Sequence, residues 1–172
     1  LAMPPGLALF SVSERAFMRA EQIEGRGYYF DFLEFRSNHA KGMTPSTPVI
    51  PLIHALNYTL NKIFDEGVEI RHQRHSRLNQ LVHKWAEGHG FELLPQKQFA
   101  SKSLTCLRNN LDIDLAGFVK TLRESKKISI DGGYGKIKGK TFRVSNMGDE
   151  TDESINHLLS SMDEVLEQFL PA

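Results

Sequence analysis

Thr141-Phe142-Arg143-Val144-Ser145-Asn146-Met147-Gly148-Asp149 is the stretch on which the fold of this chain turns. In a strand successive side chains point to opposite faces, so Phe142 and Val144 share one face while Arg143 and Ser145 share the other. The apolar pair requires a core, and the polar pair faces something that accepts a permanent positive charge. Working outward, residues 91–94, 103–108 and 128–130 read as further short strands, and residues 114–125 and 151–169 as helices. This alternation predicts an α/β layer with helices packed on a sheet.

Upstream the pattern is coarser. An apolar run at residues 6–12 reads as a strand closed by Ser13, which can cap a helix carrying Glu14 in its first turn and ending near residue 24. Gly25 and Gly27 break it, and residues 28–35 then hold five aromatics in eight positions, more than one isolated helix can hide. Those side chains need a partner surface. Residues 36–46 read as a loop, followed by Thr47 as a helix cap and Pro48 at the first helical position, where a missing N–H costs nothing. The helix runs to about residue 66 with Ile50, Ile53, Leu56, Leu60, Ile63 and Phe64 as its apolar stripe. Gly67 interrupts it, and a second helix over about 68–87 turns Ile70, Leu78, Leu81, Val82 and Trp85 inward. The best division of the chain lies near residues 40–48.

Composition narrows the function. A chain of 172 residues can bury a core of ordinary domain size. Its 21 basic and 21 acidic residues balance, which argues against a protein built to grip nucleic acid or an anionic membrane. The single cysteine, Cys106, excludes an internal disulfide and a multi-cysteine metal site, and points to a reducing cytosol. It sits in an apolar run expected to be a buried strand, with no base near it in sequence, which weighs against a nucleophilic role. No apolar run approaches the roughly 20 residues needed to span a bilayer.

Arg143 is the leading candidate for chemistry. Its planar fork suits a carboxylate held by two hydrogen bonds, and the alternative is an edge-strand arginine paired to a surface acid. Thr47, with Thr44 and Ser46 nearby, is the second, since hydroxyls and free N–H groups at a helix start favour phosphate, while a plain cap would also explain Thr47. The run 132–141 ends in Gly139-Lys140-Thr141 but has Tyr134 where a nucleotide-binding loop needs glycine, and a strand follows it, so it reads as a hairpin. His72 and His75 lie among cations on a helix face read as solvated, a poor metal site. Asp31, inside the aromatic cluster, reads as a capping or interfacial hydrogen-bonding residue with no catalytic role.

Leu1-Ala2-Met3-Pro4-Pro5-Gly6, Thr47-Pro48, and Arg143 with its Asn146-Met147-Gly148-Asp149 turn together resemble the class V, fold type I pyridoxal-phosphate-dependent aminotransferases of the serine-pyruvate/alanine-glyoxylate kind. The resemblance runs along nearly the whole chain and implies the carboxyl-terminal portion of such an enzyme. Residues 1–43 would end the large cofactor-binding domain, and residues 44–172 would form the small domain with the interdomain helix. It implies pyridoxal 5'-phosphate as cofactor, a homodimer in the cytoplasm, small amino-acid and 2-oxo-acid substrates, and neither nucleic-acid nor membrane partners. Arg143 would bind the substrate α-carboxylate, and Thr47 the cofactor phosphate of the neighbouring subunit. Thr44 would be a lesser cofactor contact, since the family often has an aromatic residue there. The cofactor lysine is expected about two residues before Leu1, so the chain alone is expected to be inactive. Donor and acceptor stay open. The alternative is a non-catalytic α/β interaction or dimerisation domain.

Overall fold

The computed structural model describes residues 1–170, which form two compact units: residues 3–61 with Leu1, and the residues from Lys62 onward with Ala2. The division falls inside a continuous helix, later than the loop at 40–48 where the sequence suggested it. A long helix can serve two sets of neighbours in succession, and its first turns pack with the amino-terminal residues, Leu52 lying against Gly6.

The first unit holds α1 (Glu14–Glu21), α2 (Phe32–Ala40) and the start of α3 (Ile50–Glu66). Ser13 caps α1 by accepting from the Ala16 N–H, and Asp31 caps α2 by accepting from the Leu33 N–H at 2.9 Å, both as expected. Residues 6–12 form no strand, and α2 occupies much of the expected loop at 36–46, because Asp31 starts a helix from within the aromatic cluster. Helix α3 begins at Ile50 rather than Pro48, so Thr47 does not cap it. Pro51 falls in its first turn, where no intrahelical N–H bond is lost. Its covered side is 52, 55, 56, 59, 60 and 63, while Ile50, Ile53 and Phe64 are exposed. Phe10 packs edge-on against Phe35 at 5.4 Å, yet only Ala20 and Thr59 are buried in this unit and Tyr28, Tyr29 and Phe30 lie open.

The second unit contains α4 (Val68–Gly88), β1 (Leu104–Arg108), α5 (Leu115–Lys126), β2 (Asp131–Gly132), β3 (Thr141–Ser145) and α6 (Asp152–Leu166). The strands form an antiparallel sheet in the order β1-β3-β2, with Cys106 opposite Arg143 on one side and Asp131 opposite it on the other. The expected strand at 91–94 is reduced to a single bridge, Leu93 to Leu107, and the one at 128–130 shifts onward to β2. Helices α4, α5 and α6 cover the sheet with Leu78, Val82, Phe118, Leu122, Ile155 and Met162, so the expected α/β layer forms.

Each helix starts where local chemistry allows. Gly67, at φ 86°, separates α3 from α4 in a conformation that side chains resist. Asp114 accepts from the Gly117 N–H, and Thr151 and Ser154 form a reciprocal capping box. On α4 the inward seam is Arg71, Leu78, Val82 and Trp85. Ile70, expected inward, is 61% exposed because it lies one step, about 100°, around the helix from Arg71.

Phe142 is fully buried, with the rings of Phe91 and Phe118 edge-on at 5.1 and 6.1 Å. Phe142→Ala is expected to cost about 3–5 kcal/mol in urea denaturation of this unit. A loss below about 1 kcal/mol would show that β3 is not held by this cluster.

Candidate functional site

The pleat of β3 sends Phe142 and Val144 into the core and leaves Arg143 and Ser145 on the other face. There they border a cavity of about 480 Å³ whose wall includes Leu104, Ile128, Asp131, Glu150, His157 and Leu158. The Arg143 Nε–H donates to the Gly132 carbonyl at 3.0 Å, Nη2 donates to the Asp131 carboxylate, and the guanidinium lies 4.5 Å from the centre of the Tyr134 ring. The Tyr134 hydroxyl donates to Asp131 at 2.7 Å. That hydroxyl first, and then Arg143, hold the Asp131 carboxyl below the usual carboxylate range. Arg143 therefore has its acid, Asp131, but on the central strand and beside a cavity. The hydrogen bonds to Gly132 and Asp131 use Nε and Nη2 of the fork.

The turn after β3 is anchored by Glu66 together with Arg71 and Arg74, which stand on the helix face expected to be solvated. The Glu66 carboxylate accepts from Arg74 Nε at 2.6 Å, Arg74 Nη2 at 3.0 Å and Arg71 Nη1 at 2.8 Å. Both arginines then reach the turn: Arg71 Nη2 donates to the Gly148 carbonyl at 3.0 Å and Arg74 Nη1 to the Glu150 carbonyl at 2.5 Å. Lys62 pairs with Asp149 at 2.6 Å. Asn146, fully buried, donates to the carbonyls of His75 and Lys102. Arg74 first, then Arg71, lower the Glu66 carboxyl from 4.5 to about 2. Arg71 stands seven residues before Leu78, on its face of the helix, and that register was the available signal. Its partners lie across the Gly67 break and 77 residues downstream, where no local pattern points.

The hairpin reading of 132–141 holds: β2 and β3 pair, with a short 3₁₀ turn at Gly135–Ile137 between them. A side chain at Gly133 would come within 2.3 Å of the Ile137 carbonyl and the Thr141 hydroxyl, so the hairpin closes only around glycine. His72 is exposed and His75 Nδ1 lies 2.8 Å from the Arg71 carbonyl; among the described residues no cluster suits a metal. Cys106, expected buried, is a free thiol only half-buried, because Thr105 and Leu107 take the inward positions of β1. In the first unit Thr47 is exposed, and Thr44 donates its hydroxyl to the Ser46 carbonyl at 2.6 Å. Among the described residues no helix is long and apolar enough to cross a membrane.

Comparison with known proteins turns up no matching family model. The chain is 34% identical over 150 residues to an uncharacterised aminotransferase of Methanocaldococcus jannaschii, covering 86% of the chain and 39% of that protein. It is 27% identical over 161 residues to the serine–glyoxylate aminotransferase of Methylorubrum extorquens, covering 90% of the chain and 40% of that protein. The crystal structure of an alanine–glyoxylate aminotransferase from Nostoc sp. superimposes with a TM-score of 0.81 at 25% identity, over 91% of this chain and 42% of that one. The chain thus spans about two fifths of the length of these relatives.

Because the folded-state pKa of Glu66 lies below its ordinary value, its contribution to stability is complete above pH 4.5 and is lost as pH falls towards about 2. Urea denaturation should show Glu66→Gln less stable than wild type near neutral pH, with the two curves converging in acid. Parallel curves from neutral pH into acid would remove the clamp from the stability of this unit.

Proposed function

We infer that this chain corresponds to the carboxyl-terminal part of a class V, fold type I aminotransferase that uses pyridoxal 5'-phosphate to move an amino group between a small amino acid and a 2-oxo acid. The observation that carries this reading is Arg143, borne on a central strand, facing a cavity and keeping part of its fork unspent. The named relatives support it, and the whole protein would act as a cytoplasmic homodimer. In that reading residues 1–43 belong to the large domain and residues 44–172 to the small one.

Pyridoxal phosphate supplies the electron sink that makes the Cα proton of an amino acid removable. This chain would contribute orientation and charge. Arg143, always cationic, would take the substrate α-carboxylate in two parallel hydrogen bonds and so fix the rotation of the amino acid about its Cα. Leu104, Ile128, Ile155 and Leu158 along the cavity wall would keep water from competing for that ion pair. At the other position Thr47 is exposed, and its hydroxyl is a group able to donate to a phosphate. Thr47 would bind the cofactor phosphate of the neighbouring subunit, with Thr44 a lesser contact because its proton is already given to Ser46.

The exposed Tyr28, Tyr29 and Phe30 favour a second reading, a non-catalytic interaction or dimerisation domain. The two separate in one assay. The full-length protein supplied with pyridoxal phosphate, L-alanine or L-serine, and glyoxylate should transaminate, and Arg143→Ala should lower kcat/KM by about a hundredfold. Absence of turnover across small amino donors, with the cofactor bound, would favour the interaction domain.

A further inference from the structure

We propose that Asp131, braced by Tyr134, is a positioning residue that holds Arg143 so that one chosen edge of its fork meets a carboxylate; the inference rests on the carboxylate-binding reading above. An arginine side chain has several rotatable bonds, and a receptor for a planar anion needs its plane and its roll both fixed. Three contacts fix them here. The Nε–H donates to the Gly132 carbonyl at 3.0 Å, Nη2 donates to Asp131, and the Tyr134 ring lies beneath the guanidinium at 4.5 Å. Tyr134 is tied in turn to Asp131 through its hydroxyl at 2.7 Å, so the acid and the ring are set as one piece.

The choice of nitrogens matters. Nε and Nη2 share one edge of the planar guanidinium, and the Gly132 carbonyl and Asp131 together take that side edge. The end edge, Nη1 with the second hydrogen of Nη2, remains for a bidentate partner. Asp131 thus does not compete with an incoming carboxylate; it turns the other edge towards it. The backbone enforces this, because Asp131 and Arg143 are register partners on neighbouring strands. Gly133 lets the chain turn tightly enough to return Tyr134 under the guanidinium.

Asp131 is 62% exposed at its side chain, and an ion pair so open to water adds little to folding stability. Its removal should therefore loosen the fork without unfolding the sheet. The isosteric Asp131→Asn, made in the full-length protein, is expected to raise KM for L-alanine about tenfold while kcat changes less than about twofold, because a misaligned fork weakens ground and transition states alike. Asp131→Glu should recover part of the loss. In ¹⁵N spectra the Arg143 Nε–H resonance, protected in wild type, should broaden through solvent exchange in Asp131→Asn and in Tyr134→Phe. An unchanged KM in Asp131→Asn, with a raised KM in Arg143→Ala, overturns the positioning role and leaves the carboxylate reading standing. An unchanged KM in both variants brings down the carboxylate reading, and the inference with it. An Arg143 Nε–H that stays equally protected in Asp131→Asn also overturns the proposal.

Discussion

The burial of Phe142 decides the rest of this unit. Its ring, without solvent exposure and flanked by Phe91 and Phe118, locks the face of β3 on which it stands, and Val144 repeats the constraint two residues later. A one-residue slip would exchange both faces, placing a guanidinium in the core and a phenyl ring in water. Arg143 is therefore displayed towards the cavity as a consequence of the strongest apolar preference in the strand. The charge does not choose its side; the ring chooses it.

The turn beyond β3 needs a different kind of restraint, because residues 147–150 lie past the last backbone bond of the β1–β3 pairing, from the Asn146 N–H to the Ser103 carbonyl. The Glu66 carboxylate supplies it at second hand. It orients Arg71 and Arg74 so that their remaining donors meet the carbonyls of Gly148 and Glu150. A half-buried carboxylate with two guanidiniums is well satisfied, and both guanidiniums are spent on backbone oxygens that would otherwise lack partners. The break at Gly67 makes this possible by setting Glu66 at the end of one helix beside arginines on the next.

Several features are legible from residues alone. The strand alternation around Arg143, the helix caps at Ser13 and Asp31, the helix starts near residues 114 and 151, the break at Gly67 and the hairpin at 132–141 all follow from local stereochemistry, and the structure has each of them. The departures share a cause. Thr47 has the chemistry of a cap, but Pro51 sets the first turn of α3 further on; Ile70 has the chemistry of a core residue, but Arg71 takes the inward position of α4. In each case two local patterns one to three residues apart are both acceptable, and packing chooses between them.

From residues alone come the segments able to form helix or strand, the shared face of Arg143 and Ser145, and the likeness to aminotransferases. These depend on backbone geometry and on the period of apolar residues, which operate over a few positions. The meeting of Asp131 and Tyr134 with Arg143, and the hold of Glu66, Arg71 and Arg74 on the turn beyond it, arise with the folded core. The contacts that reach Arg143 and the turn cross strand pairings and a helix break, up to 87 positions along the chain. A charged side chain carries no mark of which distant partner it will meet until the apolar core has placed them both.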